Sequence, residues 1–236
     1  MIVQGLWVGN KVSKIEYMSY NSFIKNGFQY VLYTYEDVSG LPEGVIVKDA
    51  NKIVDEKSIV RDSSNSLGGF SDLFRWNLMY KRGGIYVDSD VICLKRFNTE
   101  NNVVAGEFTG DVNAPAASTQ YLKFEKEHPL IKVAVDESRK KDLSKIHWAE
   151  VGPRLIQELT PQQSILDYNN FNPNHYWNWD YVMKKEKTDF LLDLTSKENV
   201  YGIHLWNEMW RRAGVDKHKP FEDGSFMHLL EEKYLH

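Results

Sequence analysis

The sequence predicts an α/β protein with a Rossmann-like, mostly parallel central sheet flanked by helices and a helical, loop-rich C-terminal part. Three observations carry that expectation. Short runs rich in β-branched and aromatic residues alternate with segments of helical spacing through the N-terminal half, and parallel strands need such helical crossovers. A strand-like run ends in two aspartates, GGIYVDSD, at residues 83–90. Of the 236 residues 42% are hydrophobic, which suffices for the core of a single domain spanning 1–236.

Ile2 to Val8 reads as a buried first strand closed by Gly9-Asn10. Ser13 is placed to cap a helix running to about Asn26, with Glu16 completing a capping box and Gly27 following its end. Phe28 to Tyr35 is a second strand, SGLPEG a turn, and Val45 to Val47 a short third strand. Phe70, Leu73, Phe74, Met79 and Tyr80 have helical spacing, and Gly83-Gly84 stops that helix. Ile85 to Val87 is then a strand, which leaves Asp88-Ser89-Asp90 at its carboxyl end, where open α/β sheets bind ligands. Further on, Val103 to Phe108 reads as a strand, Pro129 to Lys140 and Pro153 to Leu159 as helices, Val200 to Leu205 as a last strand and Phe226 to Leu235 as a terminal helix. Residues 169–181, NNFNPNHYWNWDY, form a polar-aromatic loop suited to sugar or ring contacts. No internal repeat or linker breaks the chain.

The formal net charge is −4, and the basic pair Arg211-Arg212 is too short for a duplex footprint, so nucleic acid is not an expected partner. Cys93, the only cysteine, excludes an internal disulfide and a cysteine-rich zinc site, and its strand context makes it a buried small hydrophobe. No signal peptide, stalk or apolar run of membrane-spanning length is seen, so a cytoplasmic protein is expected.

Two carboxylates two residues apart at a strand end can share one hard divalent cation such as Mn²⁺ or Mg²⁺. A bare Asp-x-Asp turn is common. Here the apolar run fixes the pair at the sheet edge, Ser71, Asp72 and Arg75 lie upstream at helical spacing, and His204 ends another strand. The stretch FSDLFRWNLMYKRGGIYVDSD resembles the sugar-binding region of DxD-containing glycosyltransferases related to yeast α-1,6-mannosyltransferase, α-1,4-galactosyltransferases and the clostridial glucosylating toxins. Ser71, Asp72, Arg75, Gly83, Gly84, Tyr86, Asp88 and Asp90 carry the likeness, with Gly152-Pro153 and His204 as looser echoes.

The resemblance implies a GT-A fold, a nucleotide-sugar donor (UDP-linked ahead of GDP-linked), a hydroxyl acceptor such as a glycan, and Mn²⁺ or Mg²⁺. It implies Trp7 stacked on the donor base, Ser71, Asp72, Arg75, Tyr86 and Asp88 around the donor, and Asp72, Arg75 and Asp88 as the catalytic set. Asp88, Asp90 and His204 would hold the metal, and Arg75 with Arg211 or Arg212 would face the diphosphate. It further implies retention of anomeric configuration, in glycan or polysaccharide synthesis. Where a serine-tryptophan pair commonly follows the histidine, this chain has Asn207 and Trp210, which leaves their roles open. Two other classes stay open: a non-catalytic sugar- or divalent-cation-binding module, and a sugar nucleotidyltransferase. Calcium would need more oxygen ligands than DSD offers nearby, and GLWVGNKVSK lacks the glycine-rich loop a nucleotidyltransferase uses for phosphate.

Overall fold

The computed structural model describes residues 1–235. Eight strands form: β1 (Ile2–Leu6), β2 (Gln29–Thr34), β3 (Ile46–Asp49), β4 (Gly84–Val87), β5 (Val91–Cys93), β6 (Val103–Glu107), β7 (Ala116–Phe124) and β8 (Gly202–His204). The helices are α1 (Lys14–Lys25), α2 (Gly68–Arg82), α3 (Pro129–Arg139), α4 (Pro153–Leu159), α5 (Thr188–Ser196), α6 (Asn207–Arg212) and α7 (Phe226–Tyr234). Six strands make the main sheet in the order β3-β2-β1-β4-β7-β6. The β3-β2, β2-β1 and β1-β4 pairs are parallel, whereas β7 runs antiparallel to both β4 and β6. β5 and β8 pair antiparallel in a separate ribbon, Val91 opposite His204. The sequence expectation of a mostly parallel sheet with helices on both faces is met.

Alternation along the strands explains the layering. Val31, Tyr33 and Tyr86 point into one apolar layer with Phe70, Phe74 and Met79 of α2. Tyr30, Leu32, Ile85 and Val87 point into the other, against Tyr20 and Phe23 of α1. Side chains of a strand alternate between faces, so a run buried throughout needs a helix on each side. A third cluster, with Val182, Leu191, Ile203, Trp210 and Met227, packs the C-terminal part onto Ile15, Met18 and Ile92.

Local signals behave as read. The Ser13–Glu16 capping box forms at the start of α1. Gly83 ends α2 at φ +63, a conformation costly for other residues, and a Cβ there would collide with the Lys126 backbone nitrogen. Three readings change. The first strand stops at Leu6, so Trp7 lies just beyond it. Residues 176–183 are not loop but a kinked run of 3₁₀ turns. The nine-residue strand β7 went unread because its centre, Ser118-Thr119-Gln120, is polar although buried. Among the described residues no helix is long and apolar enough to cross a membrane.

Candidate active site

A cleft of about 900 Å³ opens where the carboxyl end of β4, the ribbon and the start of α2 meet; it is lined by Asp72, Arg75, Asp88, Asp90 and His204 among others. The strand order reverses at β1 and β4, the switch point at which open α/β sheets leave a crevice.

Arg75 organises one side. Only 4% exposed, it reaches the Asp72 carboxylate with Nε at 3.2 Å and the Asp88 carboxylate with Nη2 at 3.1 Å. Nη1 donates to the Thr119 carbonyl at 2.7 Å, Nη2 donates to Ser71 Oγ at 3.1 Å, and the guanidinium lies 4.9 Å from the Tyr86 ring centre. The Tyr86 hydroxyl donates to Asp88 Oδ1 at 3.0 Å. A buried guanidinium is tolerable only when its charge and donors are matched in this way. The helical spacing of Ser71, Asp72 and Arg75 puts them on one face of α2, and β7 supplies the carbonyl that completes the set.

Burial pushes the Asp72 carboxyl up to about 7, with the Asp88 charge adding and Arg75 opposing. Gly152, the residue before α4, presses against this carboxylate, and a Cβ at 152 would collide with its oxygens. The Gly152-Pro153 pair is thereby tied to Asp72 through space.

Asp88, Asp90 and His204 form the other side. Each offers one ligand atom, and these atoms lie within 4.8 Å of one another. Asp90 Oδ2 accepts the Asn207 backbone N–H at 2.7 Å and lies 3.3 Å from His204 Nε2. Burial works against the Asp90 charge, but His204 and the Asn207 N–H outweigh it and hold the carboxyl below its ordinary value. Burial raises Asp88, helped by Asp90 and opposed by Arg75. The His204 imidazole is disfavoured as a cation by burial, yet Asp90, Asp88 and Glu107 raise its pKa overall. Two carboxylates side by side, with an imidazole whose Nδ1 is buried without a partner, suit a divalent cation, which would relieve their mutual repulsion.

The other predicted residues are placed as follows. Trp7 is half buried at the carboxyl end of β1 and packs against the Val12 and Tyr30 cluster, with its Nε1 buried and unpartnered; it stands off the cleft lining. Trp210 is core, fully buried with its Nε1 donating to the Leu205 carbonyl at 2.6 Å. Asn207 starts α6, and its Nδ2 donates to buried Glu16 at 3.1 Å. Arg212 lines the cleft, while Arg211 and Arg212 both bind Glu208.

Residues that the sequence reading passed over also line the cleft: Glu107, Gln120 and Trp206. Burial raises the Glu107 carboxyl, opposed by His204 and Ser118. The Gln120 side-chain amide is buried with neither atom partnered. For Glu107 a signal was present, since VVAGE ends an apolar strand on a carboxylate as GGIYVDSD does. Gln120 gave none, because its strand was itself unread.

Residues 14–108 match the family described as the glycosyltransferase sugar-binding region containing DXD motif. The match spans about two fifths of the chain and includes Ser71, Asp72, Arg75, Asp88 and Asp90. The main sheet has the mostly parallel α/β arrangement that the sequence predicts. Over 66 residues the chain is 38% identical to "Subversion of eukaryotic traffic protein A" of Legionella pneumophila, a match covering 25% of this chain and 10% of that protein. The chain therefore matches about a tenth of that curated relative's length. Among solved structures, "PaToxG Glycosyltransferase" is 16% identical with a TM-score of 0.48, covering 99% of this chain and 84% of that one. The apo form of the glycosyltransferase GlyE of Streptococcus pneumoniae is 13% identical with a TM-score of 0.46, covering 99% and 63%. No residue role follows from either.

Proposed function

We propose that this glycosyltransferase moves a sugar from a nucleotide-diphosphate sugar, UDP-linked ahead of GDP-linked, to an acceptor hydroxyl in glycan synthesis. The observation that carries the proposal is the Asp88–Asp90–His204 cluster set beside the Arg75 network in one cleft. Those three residues would hold Mn²⁺ or Mg²⁺, which when bound supplies Lewis-acid neutralisation of the charge growing on the departing diphosphate. Asn207 orients Asp90 through its backbone N–H. Tyr86 and Arg75 orient Asp88.

Most of the Arg75 donors are taken by protein oxygens, so in this reading it fixes Asp72 and Asp88 and adds positive potential more than it grips the sugar. Asp72 and Ser71 accept hydroxyls of the donor sugar. β1 and β4 are paired neighbours, and Trp7 leaves the first as Asp88 leaves the second; Trp7 is accordingly assigned to the base. Retention of configuration is carried over from the resemblance; because Arg75 engages both Asp72 and Asp88, neither stands free as a covalent nucleophile, so the retaining route proposed is front-face attack of the acceptor hydroxyl as the diphosphate leaves.

The test is incubation with a panel of nucleotide-sugars, with and without Mn²⁺, watching nucleoside diphosphate release. Release from one donor that depends on the metal is expected. Activated sugar formed from a sugar phosphate and nucleoside triphosphate would instead show a nucleotidyltransferase, and metal-independent release would remove the role given to the cluster.

A further inference from the structure

A continuous path of aromatic rings leads away from the metal-site candidates. His204 lies against Trp206 with ring centres 4.1 Å apart, Trp206 meets Tyr176 edge-on at 6.2 Å, and Tyr176 meets Trp177 at 5.1 Å. Trp177 packs on His175 at 4.7 Å, which stacks on Phe108 at 4.8 Å. The path is half-buried at both ends and open in its middle, with Tyr176 45% and Trp177 48% exposed, both lining the cleft.

This arrangement is held, not loose. Trp206 sits in the left-handed region at φ +57, which a bulky side chain rarely adopts, and its Nε1 donates to the Asn174 carbonyl at 3.0 Å. Within the 3₁₀ run, the kink at Asn178 separates two tryptophans by role: Trp179 packs on buried Trp210, while Trp177 is about half exposed and lines the cleft.

We propose that Tyr176 and Trp177, backed by Trp206, form the acceptor subsite of the cleft and that the acceptor is a carbohydrate whose pyranose ring stacks on these faces. The proposal rests on the sugar-transfer reading given above. A pyranose presents a C–H face that matches an aromatic plane and a rim of hydroxyls that needs polar partners close by. Glu107 at the end of β6, Thr109 beyond it and Gln157 on α4 line the same cleft and supply such partners. A peptide is the competing occupant. The edge strand nearest these rings, β6, is already covered: Leu166 N–H donates to the Val104 carbonyl at 2.9 Å and Asn172 Nδ2 donates to the Gly106 carbonyl at 2.7 Å. Those are the groups an extended peptide would have to pair with.

The test has two arms. In the first, maltose, cellobiose, lactose, mannobiose and chitobiose are offered to the wild-type protein and to Trp177→Ala, Tyr176→Ala and Trp177→Phe, and binding is read on the saccharide by saturation-transfer NMR. At least one saccharide is expected to bind, about two- to tenfold more weakly to Trp177→Ala, as the loss of one stacking contact implies, and close to normally to Trp177→Phe. In the second arm the same saccharides, or peptides bearing serine, threonine or tyrosine, are added with the nucleotide-sugar panel and Mn²⁺. Transfer to the saccharide is expected, with a higher acceptor KM in Trp177→Ala and a KM close to the wild type's in Trp177→Phe. Binding by no saccharide, wild-type affinity in Trp177→Ala, or transfer to peptides alone overturns the proposal. Ring-dependent saccharide binding without turnover of any donor leaves the carbohydrate subsite standing and overturns the transfer reading instead.

Discussion

The two sides of the cleft are built on opposite principles. On the β4 side, every charged group is closed in by another: Arg75 spans Asp72 and Asp88, Tyr86 and Thr119 fill its remaining space, and Gly152 leaves room for the Asp72 carboxylate. On the far side, 3₁₀ turns present Tyr176 and Trp177 to solvent. The first side can bind only what its fixed geometry anticipates, which suits a small charged donor. The second offers area without pairing, which suits an acceptor of varied size. Pre-organised charge lowers the cost of reorganisation during reaction, whereas open rings contribute affinity through burial and stacking.

Breaking the charged side should have the largest effect. Arg75→Met leaves Asp72 and Asp88 buried without their shared cation, and removing one partner of a buried ionic network costs about 3–5 kcal/mol. Chemical denaturation should show a loss of that order, and near-wild-type stability would mean that solvent reaches the pair.

A pH series sharpens the same point. Asp72 titrates near 7 in the folded protein but near an ordinary carboxylate value when unfolded, about 3.9. Between those values the native state holds a proton that the unfolded state has lost, so the Asp72 contribution to stability falls as pH rises through the window and levels off above about 7. Asp72→Asn has no such dependence. Its unfolding free energy, read by chemical denaturation, should therefore gain on the wild type from pH 5 to pH 8, by an amount on the order of a few kcal/mol at most. A constant gap across that range contradicts the buried, raised carboxyl.

The smallest effect belongs to the open side. Trp177→Ala should change stability by no more than about 0.5 kcal/mol, as for an exposed residue outside the core. A larger loss in the thermal melt would show that the rings support the fold and are not a free platform.

The same contrast governs what the sequence disclosed. The motif around Arg75 was legible because its residues are close in the chain: three residues within α2, one strand and a turn. Even there the partners were hidden, since Thr119 lies on a strand whose buried polar centre defeats apolar patterning, and Gly152 touches Asp72 only after folding. Glu16 was legible as a local cap, but not as the buried anchor that Asn207 and Lys217 also bind. The loop at 169–181 was recognisable as aromatic and polar, yet which tryptophan faces the cleft depends on a kink at Asn178 that composition does not encode.

The central claim is that Asp90 joins Asp88 and His204 in one divalent-cation site that serves the donor. Calorimetry of Mn²⁺ with the wild type and Asp90→Asn, each with and without uridine diphosphate, tests it most directly. The wild type should bind Mn²⁺, more tightly with the nucleotide present, while Asp90→Asn keeps its fold by circular dichroism and loses at least about tenfold in metal affinity, as the loss of one charged ligand implies. Equal Mn²⁺ affinity in the two proteins, with the nucleotide present, would contradict the claim.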